Sequence, residues 1–215
     1  GLYKSNVHNI LMTFTALGYL TQDVETGKFR LGVSIMSLSR AFREGLDITR
    51  IAGPFMREIA NEAGELVYLT VPKDDSVIYL EGISPDNQRM VSKSVAGEDC
   101  KMYCTAVGKA MLANMPKEEV EKCISGKLEA YTENTITDKK SLLEEIEKTR
   151  IRGYGIDDME IMFGIKCVGV ALLNHDGKVE GGLSISAPSL RMSDEKIELY
   201  ANILKEYAAK IQKML

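Results

Sequence analysis

Side chains able to do chemistry fall in separate stretches of this chain. Cys100 and Cys104 stand four residues apart, with Asp157 and Cys167 further on. Thiolates and a carboxylate can hold zinc. The spacing is neither a finger nor a ribbon, however, and buried cysteine often serves as a small hydrophobe. A cysteine nucleophile needs an activating base, and the only histidines, His8 and His175, fall near the N-terminus and in a turn-rich stretch. Thr105-Ala106-Val107-Gly108-Lys109 looks like a phosphate loop only superficially. It lacks the leading glycine, and Ala110 follows the lysine where Ser or Thr belongs, which argues against nucleotide hydrolysis. No cofactor is expected. A helix beginning at Ala106 would either offer free N–H groups to a carboxylate or pack as a plain helix start. Ser184 and Ser186 lie two apart on an expected strand, so both hydroxyls share one face while Leu183 and Ile185 take the other. That face meets either a ligand or solvent.

A second group lies near the N-terminus. Lys4, Ser5, Asn6, His8 and Asn9 form the polar side of an expected helix. Asparagine there can pair bidentately with adenine. Lys28 and Arg30 can neutralise phosphates. On spacing alone, a solvated helix face and ordinary surface cations explain the same residues.

The elements that must position these groups follow from periodicity. Val7, Ile10, Leu11, Phe14 and Leu17 recur at helical steps after Ser5, a good N-cap, and Gly18 suits the C-terminal cap. A hairpin, Tyr19–Gln22 with Lys28–Leu31, turns around Gly27. A helix over 33–46 gathers Ile35, Leu38, Phe42 and Leu46 on one side. Further helices are expected at Ile48–Ala63 (with Pro54 inside), Ala106–Asn114, Lys117–Cys123, Asp138–Arg152 and Ser193–Leu215. Strands are expected at Leu66–Val71, Ser76–Ile83, Arg89–Ser94, Gly155–Asp157, Cys167–Leu173 and Lys178–Ile185. Together they describe an α+β fold with an antiparallel sheet.

Composition narrows the class. The 215 residues are 45% hydrophobic and 27% charged, ordinary for a globular chain. Val168–Leu173 is among the longest apolar runs, far short of a membrane span. The first residues show no charged-then-apolar leader pattern. Four cysteines suit no disulfide framework in a chain of this length. The expectation is a cytoplasmic protein with reduced thiols and no membrane. A net charge of −4 argues against a surface that coats nucleic acid throughout, but permits a small basic reading head.

These features together resemble the IclR family of bacterial transcriptional regulators. Gly1-Leu2-Tyr3-Lys4-Ser5-Asn6-Val7-His8 is similar to the start of that family's recognition helix. Leu17-Gly18-Tyr19-Leu20 and Gly27-Lys28-Phe29-Arg30-Leu31-Gly32 resemble its wing. Thr105–Ala110, Arg152-Gly153-Tyr154-Gly155-Ile156-Asp157-Asp158, Gly164-Ile165-Lys166-Cys167 and Leu183-Ser184-Ile185-Ser186-Ala187-Pro188 resemble successive blocks of its effector-binding domain. The blocks occur in the family's order and cover essentially the whole chain. The resemblance implies a partial winged helix-turn-helix over 1–32, a linker helix over 33–46 and a GAF-like effector-binding domain over 47–215. A helix-turn-helix has a supporting helix ahead of its recognition helix. Here the chain opens at the turn, so a truncated head that holds its recognition helix poorly is expected.

The resemblance further implies a ligand-responsive regulator, more a repressor than an activator, and not an enzyme. Its partners would be double-stranded operator DNA and a small carboxylate effector. It would form a homodimer through the linker helix and winged domain, or a tetramer through the sensor domains. Met90, Cys100, Ala106, Val107, Asp157, Cys167, Ser184 and Ser186 are the implied effector-binding residues. Lys4, Ser5, Asn6, His8, Asn9, Lys28 and Arg30 are the implied DNA contacts. Asp157 is unexpected beside an acid and would accept from a ligand hydroxyl or a backbone N–H. The competing classes are a stand-alone small-molecule sensor without DNA binding and a hydrolase using Asp157, Asp158 or a cysteine.

Overall fold

The computed structural model describes residues 1, 3–45, 47–86 and 96–215. They divide into two compact units, Gly1–Leu46 and Asp47–Leu215.

The first unit runs α1 (Lys4–Ala16), β1 (Leu20–Gln22), β2 (Phe29–Leu31), α2 (Ser34–Glu44). The expected Ser5 cap is corrected. Tyr3 is the N-cap, and its carbonyl accepts from the N–H groups of Asn6 and Val7 at 3.0 and 3.1 Å. The helix therefore starts before Ser5, whose hydroxyl no longer precedes the free amides. Gly18 follows the helix at φ +75°, a left-handed position that favours glycine. The hairpin pairs Leu20 with Leu31 and turns where Asp23 Oδ1 accepts from the amides of Glu25 and Thr26. No α1 residue is buried: Val7, Ile10 and Phe14 are exposed, as is Leu17 at its C-cap. On α2, Met36, Leu38 and Phe42 are likewise exposed. Leu46 lies outside the described residues.

The second unit begins with α3 (Asp47–Ala63) and is built on a six-stranded antiparallel sheet. Its strands are β3 (Leu66–Lys73), β4 (Ser76–Ile83), β5 (Asp99–Lys101), β6 (Gly155–Asp158), β7 (Ile165–Leu173) and β8 (Val179–Pro188), in spatial order β5-β4-β3-β8-β7-β6. The expected strand at Arg89–Ser94 lies outside the described residues. β5 was not anticipated: three residues are too few to show a period of two. The remaining helices are α4 (Ala106–Asn114), α5 (Lys117–Cys123), α6 (Lys139–Arg152) and α7 (Asp194–Gln212).

Alternation along the strands splits the sheet into two faces. Val67, Leu69, Val168, Val170, Leu183 and Ile185 are buried on one face, against α3 and α7. Pro54, which cannot donate a helical hydrogen bond, sits on the exposed side of α3. Asp138 and Ser193 cap α6 and α7 by accepting from the amides of Ser141 and Lys196. The second face carries α4. With α5, α6 and the 3-10 turn Met102–Cys104, α4 encloses a second apolar core around Met111, Leu112, Leu142 and Ile146.

Candidate functional site

Strand register composes the site. Leu66 lies opposite Ser186, Ser186 opposite Cys167, and Cys167 opposite Asp157, a single rung across β3, β8, β7 and β6. The next rung runs Tyr68, Ser184, Gly169, Gly155. Because the strand period is two, both rungs present their side chains to the same face. The glycines in the second rung let α4 lie directly on the sheet. A Cβ on Gly155 would stand 2.0 Å from the Ala106 carbonyl oxygen, and one on Gly169 would stand 2.5 Å from the Val107 nitrogen. The polar first rung, one step along the strands, forms the floor of a cavity of about 820 Å³ beside the start of α4.

Seven of the eight expected effector residues line this cavity: Cys100, Ala106, Val107, Asp157, Cys167, Ser184 and Ser186. Met90 lies outside the described residues. Thr105 caps α4, its hydroxyl accepting from the Gly108 amide at 3.1 Å, which leaves Ala106 and Val107 as the first-turn amides without intrahelical partners. The Cys167 thiol donates to Ser186 Oγ at 3.3 Å. Tyr68 and Tyr79 meet edge to face, ring centres 5.1 Å apart, and supply an aromatic wall. At the rim, Arg191 forms a two-pronged ion pair with the buried Glu65 carboxylate, at 2.7 and 2.6 Å.

Asp157 is 4% exposed, and its Oδ1 accepts the Glu160 amide at 2.7 Å. Burial pushes its carboxyl up to about 7. The Glu160 amide and the Lys109 ammonium pull the other way, and the Glu160 carboxylate adds to the rise. Behind the cavity, Lys109 and Glu160 form a buried ion pair. Lys109 thus neutralises a carboxylate rather than holding a phosphate.

The chemistry available is recognition. Burial raises the thiols of Cys104 and Cys167 far above neutrality, so neither is a thiolate nucleophile. Among the described residues, no three His, Cys, Asp or Glu side chains converge as metal ligands. Four site features escaped the sequence reading: Tyr68, Tyr79, the Glu65–Arg191 pair and Lys109–Glu160. Lys109 carried a signal, since a lone charge within Ala-Val-Gly-Lys-Ala-Met-Leu-Ala must find a buried partner.

In the first unit, Lys4, Ser5, Asn6, His8 and Asn9 are all exposed along α1, and Lys28 and Arg30 are exposed on the hairpin. Arg30 is engaged by Asp23 at 3.3 Å, an exposed pair that a phosphate can displace.

The chain matches the family described as bacterial transcriptional regulator IclR C-terminal over residues 41–213. It is 35% identical to the HTH-type transcriptional regulator KdgR of Escherichia coli, over 97% of this chain and 79% of that protein. It is 29% identical to the transcriptional repressor IclR of Escherichia coli, over 95% of this chain and 76% of that protein. Among solved structures, the crystal structure of Thermotoga maritima IclR superposes with a TM-score of 0.81 at 30% identity, covering 100% of this chain and 86% of that one. These relatives are transcriptional regulators, not enzymes, which removes the hydrolase reading. The chain therefore belongs to the IclR family of bacterial transcriptional regulators.

Proposed function

We propose that this protein is a ligand-responsive, DNA-binding repressor whose effector is a small organic acid. The observation that carries the reading is the convergence of Asp157, Cys167, Ser184 and Ser186 with the start of α4 on one cavity. Two first-turn amides carry the positive end of the helix dipole. Two serine hydroxyls add donors across the floor, and Tyr68, Tyr79 and Cys100 form walls for a carbon skeleton. Such a mixture of apolar wall and a few placed donors suits a small polar ligand.

The DNA-facing assignment rests on the exposed polar side of α1 and the two cations of the hairpin. Lys4, Ser5, Asn6, His8 and Asn9 read bases, while Lys28 and Arg30 hold phosphates. Operators read by such heads repeat with two-fold symmetry. The exposed apolar residues Met36, Leu38 and Phe42 on α2 support a homodimer, and the sensor domains could join dimers into a tetramer. A regulator of bacterial operons works in the cytoplasm, where its operators are.

Chromatin immunoprecipitation in the source bacterium, with and without added organic acids, tests the reading. Discrete two-fold-symmetric sites whose occupancy changes with one acid are expected. Occupancy that is diffuse and indifferent to every acid contradicts it.

A further inference from the structure

The cavity that we read as an acid receptor is lined by acids. Among its described lining residues, Glu65, Glu98 and Asp157 carry carboxyls and Arg191 alone carries a cation. Arg191 is already paired two-pronged with Glu65. A ligand carboxylate at the start of α4 would therefore arrive beside Asp157, on the same rung as Cys167 and Ser186, with no uncommitted cation among the described lining residues. Two carboxylates side by side in a cavity with mostly apolar walls cannot both stay charged at low cost.

We infer that Asp157 enters the ligand complex as a neutral carboxyl that donates its O–H to the ligand's carboxylate, so that in neutral or alkaline medium each acid binds together with one proton from solvent. This rests on the carboxylate reading above. The proton ends on Asp157 and the ligand stays an anion. Oδ1 accepts the Glu160 amide, and the Ile161 amide and the Cys167 thiol also neighbour the carboxyl; the proton would sit on the oxygen turned to the ligand.

The surroundings make Asp157 the group that changes charge near neutrality. From the loop after β6, Glu160 faces it but is committed to Lys109 of α4. From β5, the 3-10 turn, β7 and β4 come Cys100, Cys104, Cys167 and Tyr79, all shifted upward by burial and so uncharged at neutral pH. Its strand neighbour Asp158 is paired with Lys166 at 2.8 Å. Burial raises Asp157 itself to about 7. Its proton is thus present in acid medium and must be acquired on binding in alkaline medium.

The test is calorimetric titration of the protein with lactate, glycerate, levulinate and benzoate, and with their amides, in buffers of differing protonation enthalpy. Proton uptake should be near zero at about pH 6 and approach one at about pH 8.5, and acid affinity should fall about tenfold for each pH unit above about 7. Asp157→Asn should bind the acids with a flat profile, because its amide N–H replaces the O–H. Acids that bind wild type with no proton uptake and no slope overturn the inference and leave the carboxylate pocket standing. A slope that persists in Asp157→Asn does the same. Failure of every acid to bind at about pH 6 overturns the carboxylate reading and this inference with it. The proton count is taken on the unmutated protein, so it does not depend on the variant folding.

Discussion

Gly169 lies directly beneath Val107: a Cβ on the glycine would stand 2.5 Å from the Val107 nitrogen and 2.7 Å from its Cα. Both obstacles are backbone, so they cannot swing aside as a side chain could. This contact sets how closely α4 approaches the sheet, and hence the height of the cavity wall over Asp157, Cys167 and Ser186.

Gly169→Ala should lift α4 and destabilise the protein by about 1–3 kcal/mol, the usual cost of overpacking a close contact. Gly126→Ala is the control, since nothing lies within 4 Å of its Cβ position. Urea denaturation midpoints of the two variants check this. Equal midpoints would show that α4 tolerates displacement.

Lys109 and Glu160 are 1% and 3% exposed, and Glu160 Oε2 has no hydrogen-bond partner among the described residues. Removing one member strands a buried charge. Lys109→Met should cost about 3–5 kcal/mol, and adding Glu160→Leu should recover most of the loss. A double-mutant cycle from thermal or urea unfolding gives both values.

Asp157 also predicts a pH dependence of stability. In the folded protein its carboxyl is raised to about 7 from the ordinary aspartate value of 3.8. The folded protein therefore binds the proton more tightly than the unfolded chain. The resulting stabilisation is full below about pH 4 and is lost as the pH rises to about 7. Asp157→Asn should be more stable than wild type, by a few kcal/mol, at about pH 8, and the gap should close towards about pH 4. Unfolding curves across that range check the sign. A gap that widens in acid contradicts it.

On the DNA side, Asn9→Ala should relax sequence preference. Arg30→Ala should weaken all sequences alike and reduce the salt slope by about one. Because Arg30 also pairs with Asp23 at 3.3 Å, Arg30→Lys, which keeps the charge, should restore much of the slope. Titrations of specific and random duplexes at several salt concentrations separate the two roles. Equal loss on both duplexes from Asn9→Ala would falsify the base-reading assignment.

Much of this architecture was legible from periodicity. The α4 and α5 boundaries, the Ser193 cap and the inward pair Leu183 and Ile185 all follow from local pattern, which the structure repeats. Spacing alone left Ser184 and Ser186 open between ligand and solvent, and Ser184 proves 3% exposed on the cavity side. What escaped was non-local. That Asp157 would sit opposite Cys167, and Cys167 opposite Ser186, is a matter of strand register, which no short window of sequence contains. The partnership of Glu65 with Arg191 spans 126 positions. Ser5 escapes for a local reason: Ser at the start of a helical pattern looks like a cap, while here the backbone turns two residues earlier, at Tyr3.

An acid held between α4 and the Ser184/Ser186 strand should change DNA affinity. A ligand can shift that equilibrium only through unequal affinity for the DNA-competent and DNA-incompetent states. The direct test measures operator affinity by fluorescence anisotropy, with and without the acid that shifts occupancy in cells, for wild type and for the Ser184→Ala/Ser186→Ala protein. Wild type should shift by a factor of about 5–150, a coupling of about 1–3 kcal/mol, and the double variant should show no shift. A double variant that responds to the acid as wild type does would place the effector elsewhere and contradict the account.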